Sequence, residues 1–293
     1  MLRNLVEKPL KPSRVVVLGS QGFVGSHALR ILKKTGIETL GLSRNEIDLL
    51  SAEATNQLLT YLKHGDVLVF AAAIAPCKNN AQLIDNLKMV TAVSGVFEKV
   101  SLSQVVYISS DAVYADELSL VTESSPVQPA SLHGMMHSAR ELMLKTTVGK
   151  VPFVVLRPSL LYGIDDPHNG YGPNRFRRLA EESKPIVLFG DGEEKRDHVF
   201  IEDLAQVIAL TIQHRCEGVL NIATGHSLSF CEVAQMIVYQ TGETLAIQGT
   251  PRQNPISYRY FDIAAFYKAF PNFHYTSFEG GIIKMMQQTE ALV

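Results

Sequence analysis

The sequence predicts an α/β fold, a doubly wound parallel sheet with a smaller mixed α/β lobe, on three observations. Short β-branched runs recur along the 293 residues, and helix-length segments separate them. The runs are apolar throughout rather than alternating, as strands covered on both faces must be. Strand, helix, strand in regular succession is the rhythm of a parallel sheet with helices on its two sides.

Taken in order, "RVVVLG" (14–19), "ETLGLS" (38–43), "DVLVFAAA" (66–73), "QVVYISS" (104–110) and "PFVVLRPS" (152–159) read as buried strands, and "GVLNIATG" (218–225) as a final one. Between the first two lies "GFVGSHALRILKKTG". There Val24, Ala28, Ile31 and Leu32 share a helical face, Lys33 and Lys34 occupy the last turn, and Gly36 can close the end. The rhythm breaks at "GIDDPHNGYGPNRF" (163–176), which reads as a loop because Gly, Pro, Asn and Asp dominate it. The expected division is a dinucleotide-binding domain of 1–164 plus 198–223 and a substrate-binding lobe of 165–197 plus 224–293.

Composition narrows the function. A formal net charge of −2 with 19% charged residues offers no basic field for nucleic acid or a membrane surface. No apolar run approaches the roughly 18–20 residues that span a bilayer. Cys77, Cys216 and Cys231 are odd in number and scattered, without a CxxC, which suggests neither a disulfide framework nor a thiolate metal site. A reducing cytoplasm is the expected location.

Gly19, Gly22 and Gly25 fall between the first strand and the first helix. This is the Rossmann-like arrangement: glycines permit a tight turn and close approach of a pyrophosphate, and the helix N-terminus faces the anion. Ser20, Gln21, Phe23 and Val24 complete the expected cofactor contacts of this turn. After the second strand, "GLSRNEIDL" presents Ser43 and Arg44 where an acidic residue would hold a ribose hydroxyl. A guanidinium suits a 2′-phosphate, so NADP is favoured over NAD. Asp48 and Leu49 are placed to meet the adenine edge.

Several further motifs occur in order along almost the whole chain: "AAA" (71–73), "YISSDAVYAD" (107–116), "LRPSLLYG" (156–163), "LFGDGEEKRDHVFIEDLA" (188–205) and "NIATG" (221–225). With the glycine turn they resemble the extended short-chain dehydrogenase/reductase family, the NAD-dependent epimerase/dehydratase type that modifies nucleotide sugars. The resemblance implies that Ser110 hydrogen-bonds the reacting oxygen, with Ser109 at the cofactor and Asp111 at the substrate. It implies that Asn86 supports the site, that Ala71, Ala72 and Ala73 line the ribose pocket, and that Pro158 meets the nicotinamide. Arg196 and Arg252 would grip a substrate diphosphate, and Asn174 would assist.

One motif departs from the family. Its Tyr-x-x-x-Lys pair, counted from Glu123, Pro129 and Glu141, falls on His133 and His137 in "SLHGMMHSARE". Free histidine titrates near 6.5, so His133 could exchange a proton without a lysine beside it. That role implies a pH–rate break between about 5.5 and 7.5. His137 would bond the cofactor ribose as a neutral imidazole. Two other readings stay open: a metal-binding face of His133, His137 and Glu141, and an NADP-binding protein without catalysis. Ala112 stands where the family's dehydratases carry an acid, which disfavours dehydration. The favoured reaction is therefore NADP-dependent reduction of a keto group on a nucleotide-linked sugar, with epimerisation as the alternative. Helices near 81–99 and 131–148 resemble the pair through which the family forms homodimers.

Overall fold

The computed structural model describes residues 1–116, 120–242, 244–253 and 255–290. In chain order its strands are β1 (Val15–Leu18), β2 (Thr39–Leu42), β3 (Val67–Phe70), β4 (Gln104–Ile108), β5 (Leu120–Val121), β6 (Phe153–Pro158) and β7 (Leu160–Tyr162). They continue with β8 (Ile186–Phe189), β9 (Lys195–Phe200), β10 (Gly218–Ile222), β11 (Ser227–Ser229), β12 (Ile247–Thr250) and β13 (Tyr260–Phe261). The helices are α1 (Phe23–Lys34), α2 (Ala54–Tyr61), α3 (Asn80–Ser94), α4 (Leu132–Thr147), α5 (Pro173–Glu181), α6 (Ile201–Gln213), α7 (Phe230–Thr241), α8 (Ala264–Ala269) and α9 (Phe278–Glu290).

A six-stranded sheet runs β10-β6-β4-β3-β1-β2, with every pairing parallel. All six expected strands are in it. Their unbroken apolar pattern has a direct cause. Along β1, Val15 and Val17 enter one core layer while Val16 and Leu18 enter the other. The next strands repeat this, with Val67 and Val69 against Leu68 and Phe70, then Val106 and Ile108 against Val105 and Tyr107. Side chains alternate in direction along a strand, so a strand covered on both faces needs apolar residues at both parities. Helices α1 and α6 pack together, and so do α3 and α4. Winding reverses at β1, whose neighbours are β2 and β3, and a crevice opens there beyond the strand ends.

Helix α1 buries Ala28 and Leu32, with Val24 and Ile31 partly covered, as its periodicity requires. It stops at Thr35, and Gly36 follows at φ +72°. Several expected ends are revised, among them that of β10, which stops at Ile222 rather than Gly225. Strand β3 ends at Phe70, three residues early, because Ala71–Ala73 leave the sheet to pack over Gly19. A Cβ on Gly19 would lie 2.6 Å from the Ala72 nitrogen. The presumed loop 163–176 also ends early, because Pro173 starts α5. Proline suits a first helical turn, where its missing N–H has no partner to lose.

The remaining strands form small sheets, β11-β9-β7, β12-β8 and β13-β5. Among the described residues, no helix is long and apolar enough to cross a membrane.

Candidate active site

Strand β4 delivers Ser109 and Ser110 to the crevice, and a single 3₁₀ turn (Asp111–Val113) follows. The Ser110 hydroxyl oxygen caps that turn by accepting the Ala112 N–H at 3.1 Å. Opposite, Ser131 caps α4 by accepting the Gly134 N–H at 3.1 Å, which sets the helix start at Leu132, one residue before His133. Gly134 lets helix and turn touch. A Cβ there would lie 1.9 Å from the Ala112 carbonyl oxygen and 2.8 Å from Pro129 Cβ. Gly134→Ala is accordingly expected to destabilise the protein by roughly 1–3 kcal/mol in chemical denaturation, by overpacking backbone against backbone. A change under about 0.5 kcal/mol would show that α4 and the turn separate freely.

The helical spacing brings His133 and His137 together, with ring centres 4.7 Å apart and planes at 88°. His133 Nδ1 accepts the Cys77 N–H at 3.4 Å. A backbone N–H can only donate, so the hydrogen of the neutral ring resides on Nε2. His137 Nδ1 lies 2.7 Å from the Tyr107 hydroxyl. Burial lowers the His133 pKa, and His168 nearby lowers it further. Burial, then His133, then Arg140 hold His137 well below the usual range. Both shifts favour the neutral imidazole.

Behind them, Glu141 binds Arg157 through both oxygens, at 2.5 and 2.9 Å, and accepts the Ser109 hydroxyl. Arg157 also donates to the Tyr114 hydroxyl at 2.8 Å, and Tyr114 donates to Asn221 at 2.8 Å. One buried network thus ties β4, α4, β6 and β10 under the site. Glu141 faces Arg157 and Ser109, so it does not join the two imidazoles as a third ligand.

Two cavities bracket the glycine turn. The larger, about 570 Å³, is bordered by Ser109, Ser110, Asp111, His133, His137 and Pro158, and also by Phe23, Val24 and Asn174. The smaller, about 270 Å³, is bordered by Gly19, Gln21, Ser43, Arg44, Asp48 and Leu49, with Ala72. Gly22, Ala71 and Ala73 border both.

Five residues singled out in the sequence line neither cavity. The Ser20 N–H is tied to the Leu42 carbonyl at 3.1 Å. Gly25 faces the turn: a Cβ there would lie 2.1 Å from the Gly19 carbonyl oxygen. Asn86 is fully buried and clamps Ile74, accepting its N–H and donating to its carbonyl, both at 3.0 Å. Arg196 donates to the Lys195 and Ser257 carbonyls and to the Ser257 hydroxyl. Arg252 pairs with Glu193 and Glu194. The Asn174 amide, although at the cavity, accepts the Gly163 N–H and donates to Asp166.

Sequence reasoning missed Tyr107, Arg140, His168 and Arg259. Arg259 donates to the Asp111 carboxylate at 3.3 Å and to the Ala115 carbonyl at 2.9 Å, pinning the turn beside Ser110. Only Arg140 had a local signal, because it lies three residues past His137 on the same helical face.

A dinucleotide fits the turn on physical grounds. Gly19 (φ +91°) and Gly25 occupy places a side chain would block. The α1 N-terminus has no side-chain cap and no acidic residue in its first turn, so its N–H groups stay available to an anion.

The model of the NAD dependent epimerase/dehydratase family matches residues 15–223. The chain is 26% identical over 272 residues to the UDP-glucose 4-epimerase of Azospirillum brasilense, covering 78% of each. It is 23% identical over 279 residues to the dTDP-4-dehydro-6-deoxy-D-allose reductase of Streptomyces bikiniensis, covering 81% of this chain and 84% of the other. The solved GDP-L-fucose synthetase of Naegleria fowleri bound to NADP superposes with a TM-score of 0.84 at 18% identity, covering 99% of this chain and 97% of that one. The glycine turn, the parallel sheet and the family match agree: the chain belongs to the NAD-dependent epimerase/dehydratase family, of the extended short-chain dehydrogenase/reductase type.

Proposed function

We propose that the protein reduces a keto group on a nucleotide-linked sugar with NADPH, using an imidazole pair where the family carries tyrosine and lysine. One observation carries this reading: Ser110, His133 and His137 border a cavity that shares Gly22, Ala71 and Ala73 with the cavity of the cofactor turn. A ligand laid across that shared rim would reach from Arg44 to His133.

In this reading Ser110 donates its hydroxyl hydrogen to the substrate carbonyl oxygen. His133, neutral at rest, would take up a proton and deliver from Nε2 the one that turns this oxygen into an alcohol. His137, fixed by Tyr107, offers its remaining nitrogen to the ribose of the cofactor. The chemistry that a reduced dinucleotide would supply here, when bound, is the hydride for the carbonyl carbon. Arg196 and Arg252 would hold the substrate diphosphate by exchanging Ser257, Glu193 and Glu194 for phosphate oxygens, and Asn174 would assist from the cavity wall.

The preference for NADP rests on Arg44. Glu46 already occupies the Ser43 N–H and hydroxyl, at 2.7 and 2.6 Å, while Arg44 at the same cavity carries the guanidinium suited to a 2′-phosphate. Titration with NADPH and NADH tests the reading. Arg44→Ala is expected to weaken NADPH binding by about tenfold or more, since a charged hydrogen bond contributes about 1.5–3 kcal/mol. NADH binding should barely change. Equal loss for both dinucleotides would remove the 2′-phosphate role. A wild-type protein that purifies with tightly bound NAD and interconverts sugars without net oxidation would favour epimerisation instead.

A further inference from the structure

Arg140 lies on α4 one turn past His137, and none of it is exposed. Nη2 donates to the Ala72 carbonyl at 2.8 Å, and Nη1 donates to Asn86 Oδ1 at 3.3 Å. The guanidinium stands 4.3 Å from the Phe70 ring centre and 5.2 Å from that of Tyr107. Among the described residues no carboxylate is paired with it, and its Nε–H has no acceptor. A wholly buried cation without a counter-charge is strongly unfavourable, and two aromatic faces recover only part of that.

The position of Arg140 indicates what offsets this. The strip Ala71–Ile74 separates it from the glycine turn by one layer of peptide. On the turn side, a Cβ on Gly19 would meet the Ala72 nitrogen at 2.6 Å and its Cα at 2.7 Å. On the other side, Arg140 holds Ala72 while Asn86 holds Ile74. A charge in such an interior is weakly screened and acts through a peptide layer.

We propose that Arg140 is a buried counter-charge for an anionic dinucleotide: from behind Ala71–Ile74 it attracts a diphosphate on the glycine turn. The proposal rests on the cofactor reading above. It makes cofactor affinity depend on ligand charge through a residue that never touches the ligand.

Calorimetric titration with adenosine, which is neutral, and ADP-ribose, which carries the diphosphate, tests this on the full chain. Arg140→Gln keeps an amide donor for Ala72 and removes the charge. It should bind adenosine within about twofold of wild type and ADP-ribose about tenfold or more weaker. Arg140→Lys keeps the charge and should bind ADP-ribose within about threefold of wild type. A merely structural role would weaken adenosine and ADP-ribose alike, and that result overturns the proposal, as does unchanged binding of both by Arg140→Gln. If Arg140→Gln does not fold, Arg140→Lys decides, and a loss of about tenfold on ADP-ribose alone overturns it. A wild-type protein that binds neither probe overturns the cofactor reading itself. Binding by wild type with no charge dependence in the variants overturns only the role of Arg140.

Discussion

Replacing His133 with alanine is expected to lower kcat/KM by two to four orders of magnitude, the usual contribution of a positioned acid, while dinucleotide affinity stays within about threefold. The pH profile carries the sharper signature. A general acid works only in its protonated form. Burial and His168 lower the His133 pKa from 6.5, so protonated His133 becomes scarce as pH rises through that lowered value. The rate should therefore begin to fall on the acid side of 6.5, rather than across the whole window of about 5.5–7.5 expected for a free imidazole. In His133→Tyr the titrating group is a phenol with an ordinary value near 10, and the falling limb should move up by several units. A wild-type rate that is level from pH 5 to 8, or full activity in the alanine variant, removes His133 from the chemistry.

Breaking the pair between Glu141 and Arg157 should have the largest effect on stability. Their side chains are only 12% and 6% exposed. Arg157→Leu strands a carboxylate in the interior and should destabilise the fold by about 3–5 kcal/mol, read as a lowered midpoint in urea. Replacing both partners with leucine should recover much of the loss, because no unpaired charge remains. The single variant should also weaken ligand binding, since Glu141 orients Ser109 at the cavity. A loss below about 1 kcal/mol would mean that water reaches the pair and screens it.

Much of the fold could be read from local pattern. The apolar runs of β1, β3 and β4 follow from strand geometry, in which neighbours point to opposite layers. Gly19, Gly22 and Gly25 announced a turn by their spacing between a strand and a helix, and the fold leaves no room for a side chain at Gly19 and Gly25. His133 and His137 were readable as a pair because residues four apart share a helix face. The loop 163–176 was misjudged at its end, because proline opens a helix as readily as it breaks one.

The polar partners behaved otherwise. Tyr107 meets His137 across 30 residues, Arg140 reaches Ala72 across 68, and Arg259 returns to Asp111 across 148. Arg196 and Arg252 have the residue types suited to a diphosphate, yet here their partners are Ser257, Glu193 and Glu194. Periodicity, turns and caps arise among residues a few positions apart, where backbone geometry leaves little choice, so the order of residues was enough to establish them. Which buried polar groups meet depends on how distant segments close over one another. Only the folded chain decides that His133 is desolvated, that Glu141 is neutralised by Arg157, and that Arg140 has no carboxylate partner among the described residues.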